Sequence, residues 1–155
     1  MICNSTPIIL LAKINNLALL KKVFRAITIT EDVKDEVLRE DKPGYLIIKN
    51  AIEEGWLKIR SPKDNQNLQL DKGENSVINL ARELKDELII DDALAITAAR
   101  ELGVKTIRTT TVIFTAVNKK IINKEEGIKL INKLIESGYY INNEYYSKIL
   151  TKLKS

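Results

Sequence analysis

The chain has 155 residues and a net charge of +4; 45% of the residues are hydrophobic and 30% charged, a balance typical of one soluble domain and compatible with a nucleic-acid partner. No apolar run reaches the roughly 18 residues of a membrane span, and the N-terminus lacks the pattern of a secretory signal. The absence of histidine excludes histidine-based catalysis and most zinc sites, while the one cysteine excludes an internal disulfide and favours a reducing, cytoplasmic location.

The first half of the chain alternates short strands with helices. Residues 1–3 predict a buried strand, and Ser5 or Thr6 can cap a helix that has Pro7 in its first turn. Asn15 and Asn16 interrupt this helix. The elements predicted next are a helix over 17–24, a strand over 26–30, a helix from Glu31 or Asp32 to about Arg39, a helix over 45–54 and a strand over 56–60.

The second half continues the alternation after a polar surface loop over 63–70. Asp71 caps a helix that runs to about Lys85, and Gly103 ends a helix over 93–102 that Asp91 or Asp92 caps. Strands are predicted over 87–90 and 104–108, and helices over 111–118, 124–137 and 143–153, the C-terminal helices 111–155 packing as part of one domain over 1–155. This order predicts parallel βαβ units, and hence a Rossmann-like three-layer α/β/α sandwich around a parallel sheet of about five strands.

Polar residues at strand ends, or on helices that face them, form the candidate site. They are Asn4, Glu36, Glu74 and Asp92, with Asp91 beside the last. Ligands of open parallel sheets bind at the carboxyl ends of the strands, so these side chains are expected to converge. Clustered carboxylates repel one another unless a cation neutralises them, and oxygen ligands select hard cations such as Mg²⁺ or Mn²⁺.

Plainer interpretations exist for several of these residues. Acidic residues at helix starts are often simple N-caps, and Glu74, three residues after Asp71, can complete a capping box. Glu36 can be a surface residue held by a salt bridge. The hydroxyl of Ser5 is either a cap or part of a ligand shell, and the threonine run from Thr109 either caps a helix or holds a phosphate or water.

Four segments together resemble the PIN domain, the nuclease fold of many type II toxin–antitoxin toxins. Residues 2–7 resemble the first strand with its Asp-Ser/Thr-Ser/Thr-Pro ending, and residues 29–37 resemble the strand and helix that end in a glutamate. Residues 70–81 are similar to the Gly-Glu helix of one branch of the family, and residues 88–103 to the strand and helix that supply the last ligand. The Gly-Tyr-Tyr segment at 138–140 also resembles that branch, which is related to the VapC-type toxins.

The resemblance implies a Mg²⁺- or Mn²⁺-dependent endoribonuclease that acts on RNA. Glu36, Glu74 and Asp92 would hold one or two cations with Asn4 as a neutral ligand, and Asp91 or Glu74 would orient water. Ser5 and Thr109 would lie in the outer shell, and it stays open whether Asp91 or Asp92 is the main acidic ligand. The toxin branch further implies a homodimer and an inhibitory antitoxin protein.

The sequence departs from the family at one site position. Active PIN nucleases usually carry an aspartate where this chain has Asn4, which removes one charge from the site. An alternative is therefore a PIN-like domain that binds RNA or protein and cuts weakly or not at all. A second alternative is an α/β ligand-binding module unrelated to nucleases, since a fold does not fix a function.

Overall fold

The computed structural model describes all residues, 1–155, and contains one five-stranded sheet in which every pairing is parallel. The strand order is β3-β2-β1-β4-β5. The strands are β1 (Ile2–Cys3), β2 (Ile27–Ile29), β3 (Leu57–Ile59), β4 (Leu88–Ile89) and β5 (Thr106–Ile107). This sheet confirms the predicted α/β class and its count of about five strands, although each strand is shorter than predicted.

Nine helices accompany the sheet. They are α1 (Ser5–Lys13), α2 (Ala18–Phe24), α3 (Glu31–Val37), α4 (Tyr45–Glu53), α5 (Lys72–Leu84), α6 (Ala93–Glu101), α7 (Thr109–Asn118), α8 (Lys124–Glu136) and α9 (Asn143–Lys154). None of them is long and apolar enough to cross a membrane. In the C-terminal part, α8 packs against both α7 and α9.

The core is built from the apolar strands and the apolar helix faces on either side of them. Ile2, Ile27 and Leu88 are completely buried, as expected for neighbouring parallel strands that helices cover on both faces. Cys3 is also completely buried in β1, and burial raises the pKa of its thiol well above the usual value. This cysteine is therefore a core residue and not a nucleophile.

The residues directly before α1 and α3 show which side chains cap these two helices. Asn4, and not Ser5 or Thr6, is the residue before α1, and its side chain makes no capping bond. The start of α3 at Glu31 agrees with the prediction, and Thr30 caps this helix, since its hydroxyl accepts the Val33 N–H at 3.2 Å. Thr30 thus connects β2 to α3 and caps the helix, and the acidic residues that follow it do not.

The strand order explains where a site forms. The chain builds β1, β2 and β3 outward in one direction and then returns to place β4 on the other side of β1. The carboxyl ends of β1 and β4 therefore lie at the topological switch point, where open α/β sheets bind their ligands. Asn4 follows β1 directly, and Asp91 and Asp92 follow β4.

Candidate active site

Asn4 is the innermost residue of the site. Its backbone N–H donates to the Ile89 carbonyl at 3.0 Å, and only 5% of the residue is exposed. Its side-chain Oδ1 is buried and has no hydrogen-bond partner, the one such side-chain atom in the structure. An unsatisfied buried oxygen costs roughly 1–3 kcal/mol, so Asn4 Oδ1 is suited to bind a cation or to accept a hydrogen bond from a ligand.

Glu36 reaches this region from α3. The Ser5 hydroxyl donates to Glu36 Oε2 at 2.6 Å, which fixes the carboxylate beside the start of α1. The other oxygen, Oε1, lies directly against Gly73 of α5, where even a methyl group would overlap it. Gly73 therefore leaves room for the Glu36 carboxylate in the position where Ser5 binds it, and Ser5 acts on a site carboxylate instead of capping a helix.

Glu74 enters from the first turn of α5. Asp71 caps this helix by accepting the Glu74 backbone N–H at 2.9 Å, which brings the two carboxyl groups close together. Burial raises the pKa of Glu74 from 4.5 to about 8, and the neighbouring carboxyl groups of Asp71 and Asp92 add to the increase. Without a cation, the site therefore retains a proton on Glu74 at neutral pH.

The raised pKa makes the metal-free protein sensitive to pH. Between about pH 4.5 and 8 the folded state binds more protons at Glu74 than the unfolded state, so stability falls as the pH rises through this range. We expect Glu74→Gln to remove the effect and to raise the melting temperature at pH 8.5 by about 3 °C. This value corresponds to about 1 kcal/mol, after discounting for solvent screening at a half-buried group.

The measurement is thermal unfolding in EDTA at pH 4.5 and pH 8.5. At pH 4.5 the variant and the wild type are expected to melt at nearly the same temperature, because Glu74 is protonated in the folded state and still half protonated in the unfolded state. Glu53→Gln is the control, since Glu53 is exposed on α4 outside the cavity. Equal melting of Glu74→Gln and wild type at both pH values would contradict the prediction.

Asp92 and Asp91 differ in what holds them. Asp92 caps α6, with its Oδ2 accepting the Ala95 N–H at 3.0 Å. Asp91 instead accepts three hydrogen bonds: from the Thr109 N–H at 3.0 Å, the Thr109 hydroxyl at 2.6 Å and the Tyr139 hydroxyl at 2.6 Å. Asp91 thus links β4 to α7 and to the C-terminal region. Asp92 accepts fewer hydrogen bonds, so its carboxylate has more capacity to bind a ligand.

Thr109 and Tyr139, which both donate hydrogen bonds to Asp91, are themselves buried. Thr109 is completely buried and does not line the cavity, so its contact with the site is through Asp91. Burial and the negative charge of Asp91 together raise the pKa of the Tyr139 phenol well above its usual value, which keeps it a hydrogen-bond donor. Thr109 is the first residue of α7, two residues earlier than predicted, since Asp91 binds its N–H.

One cavity of about 750 Å³ brings the predicted site residues together. Its lining includes Asn4, Ser5, Glu36, Glu74, Asp91 and Asp92. No three acidic or cysteine side chains are arranged closely enough to form a complete metal-binding group. The residues nevertheless fit a hard cation, since they offer carboxylate oxygens and an unpartnered amide oxygen. A bound cation would displace the proton on Glu74.

Several lining residues were not predicted from the sequence. They are Asp71, Arg108, Tyr139, Tyr140 and Asn142. Arg108 follows β5 directly, so the rule that identified Asn4 and Asp92 also applies to it. Tyr139 lies 48 residues from Asp91 along the chain, and no local pattern indicates their contact.

Comparison with known proteins gives a family and a fold. The family model DUF3368, described as a PIN domain, matches residues 1–155. A solved structure of a PilT N-terminus domain protein from the hyperthermophilic archaeon Sulfolobus solfataricus is similar in fold, with a TM-score of 0.57 and 23% identity, over 75% of this chain and 92% of that one. Among curated proteins, none matches the chain in sequence.

Proposed function

The chain belongs to the PIN-domain family, whose members generally act as nucleases with divalent metal ions, and from this premise we propose that it is a metal-dependent endoribonuclease. The observation that carries the proposal is the buried, unpartnered Asn4 Oδ1, in a cavity that also contains Glu36, Glu74 and Asp92. Mg²⁺ or Mn²⁺ bound by these residues would supply an activated water and charge stabilisation at the scissile phosphate.

The protein groups have separate roles in this proposal. Ser5 holds Glu36 in place through the 2.6 Å hydrogen bond, and the start of α6 orients Asp92. Glu74 accepts or releases a proton near neutral pH, because its pKa is about 8 before a cation binds. Asp91 positions the end of β4 and the C-terminal region, and its occupied oxygens favour Asp92 as the acidic ligand.

The biological role that we propose is the toxin of a type II toxin–antitoxin pair in the cytoplasm. It rests on the resemblance of the four sequence segments to the PIN domain, and on the relation of the branch they resemble to the VapC-type toxins. Such a protein would act as a homodimer, and a small antitoxin protein would inhibit it by covering the acidic cavity. A short neighbouring reading frame that encodes a DNA-binding helix would support this role.

A second candidate is a PIN-like domain that binds RNA or protein without cutting it. It is favoured by the amide at Asn4 and by the lack of three acidic side chains close enough to hold one ion. The two candidates differ in a direct way, because only the nuclease needs the metal for its activity.

The test is incubation of a long structured RNA with the full chain in Mn²⁺, in Mg²⁺ and in EDTA. We expect cleavage only with a metal, and a rise in melting temperature of about 4 °C when the metal exceeds its Kd about tenfold, because a ligand of the folded state stabilises it. If Mn²⁺ produces no cleavage and no thermal shift, the result would favour the non-cutting candidate. Cleavage in EDTA would reveal a contaminating nuclease.

A further inference from the structure

A second cavity of about 330 Å³ opens beside the acidic one, and we call it the outer groove. It is lined by residues of the segment after α8 and of α9, including Tyr145 and Lys148. Arg108, Tyr140 and Asn142 line both cavities, so the two form one continuous path along the surface. A ligand that reaches the acidic site from this side must pass over these three residues.

The outer groove is lined by an exposed aromatic ring. Tyr140 is 86% exposed, the most exposed of the large hydrophobic residues. Tyr145 is held in place beside it, since its hydroxyl lies 3.0 Å from the Thr110 hydroxyl. The groove thus offers one free aromatic face and one fixed aromatic side chain within the same cavity.

The charge changes sign along the path. Five carboxyl groups and one basic residue, Arg108, line the acidic cavity, whereas two basic residues, Arg108 and Lys148, and one carboxyl group, that of Glu144, line the outer groove. Glu144 lies 3.2 Å from Lys148, but both side chains are highly exposed, so this ion pair is weak and easily exchanged for another anion. A polyanion is therefore repelled at the acidic cavity and attracted beside it.

We infer that the outer groove binds an unpaired nucleotide next to the scissile phosphate of single-stranded RNA. The base stacks on Tyr140, and Arg108 and Lys148 contact the phosphates. Base stacking on aromatic side chains combined with a basic groove is the usual way in which proteins hold single strands, and it requires a base that is not paired in a duplex. The inference rests on the proposed function for its substrate, and it adds a position for one base of that substrate beside the acidic cavity.

The experiment measures binding without cleavage. A fluorescein-labelled RNA of eight nucleotides, with one 2-aminopurine, is titrated with the full chain in EDTA at low salt. We expect Tyr140→Ala to weaken binding about tenfold and to abolish the 2-aminopurine quenching, because stacking of one base is lost. Tyr140→Phe and Tyr140→Trp are expected to retain both signals. Leu46→Ala is the matched control, since Leu46 is 66% exposed and lies outside both cavities.

Several outcomes would overturn the inference. They are equal binding by Tyr140→Ala and wild type, no binding of single-stranded RNA by wild type, or equal affinity for a duplex of the same sequence. Loss of binding to an inhibitory protein partner, with RNA binding unchanged, would assign the groove to protein docking instead. If RNA binding depends on Tyr140 but Mn²⁺ produces no cleavage, the proposed nuclease activity is refuted and the groove is not. If the RNA is cleaved but its binding does not depend on Tyr140, only the role of the groove is refuted.

Discussion

Replacement of Asp92 by asparagine is expected to lower metal-dependent RNA cleavage at least about 100-fold while leaving the fold intact. The site would then hold two amides, and the charge left on Glu36 and Glu74 is too small to keep a cation beside an anionic phosphate. Stability should change by less than about 0.5 kcal/mol, because asparagine caps a helix as well as aspartate and can still accept the Ala95 N–H. The pKa of Glu74 should fall, since one of the charges that raise it is removed.

The assay compares cleavage rates in Mn²⁺ and melting temperatures with and without Mn²⁺. Asp35→Asn is the matched control: it removes the same charge one residue from Glu36, but Asp35 is exposed and lies outside the cavity. The control should cut like the wild type and keep its thermal shift in Mn²⁺. Equal cleavage by Asp92→Asn and the wild type would mean that the activity does not originate in this cavity.

Much of the fold follows from local pattern. Alternating apolar strands and capped helices are enough to predict a parallel α/β sheet, because each βαβ unit is determined within about thirty residues. The order of the strands does not follow from local sequence. The residues around Leu88 do not indicate whether this strand pairs with the strand of Ile2 or with an edge strand. Strand ends were also predicted too long, since apolar residues such as Ile90 continue past the last ladder position.

The site residues could also be predicted from local sequence, whereas their hydrogen-bond partners could not. The strand-end rule identifies Asn4, Asp91 and Asp92, and the placement of Glu36 and Glu74 on helices that face the strand ends adds these two. The partners of these residues depend on packing between distant segments. The Ser5 hydroxyl meets Glu36 only because α1 and α3 pack together, and Tyr139 meets Asp91 only because the segment after α8 returns to the sheet. These contacts decide which acidic residue is free, and a single sequence contains no pattern for them.

Asn4→Asp is expected to have opposite effects on the metal-free and the metal-bound protein. In EDTA the new carboxylate would be buried beside Glu36, Glu74 and Asp92 with no donor to pair with, at a cost of roughly 3 kcal/mol, or about 9 °C in melting temperature. The pKa of this carboxyl would be raised, so the cost should be present above that pKa and disappear as the pH falls through it.

With Mn²⁺ the same carboxylate becomes a charged ligand at the position of the unpartnered amide oxygen. Metal affinity should rise about tenfold, equivalent to about 1.4 kcal/mol, and RNA cleavage should rise by a similar factor. Asn4→Ala completes the series, because it removes the oxygen altogether and should reduce the thermal shift in Mn²⁺ below that of the wild type. The order Asp, Asn, Ala in both thermal shift and cleavage is the expected result. A thermal shift that is the same for all three proteins would show that residue 4 does not contact the metal, and an absence of cleavage even by Asn4→Asp would leave the non-cutting domain as the better account.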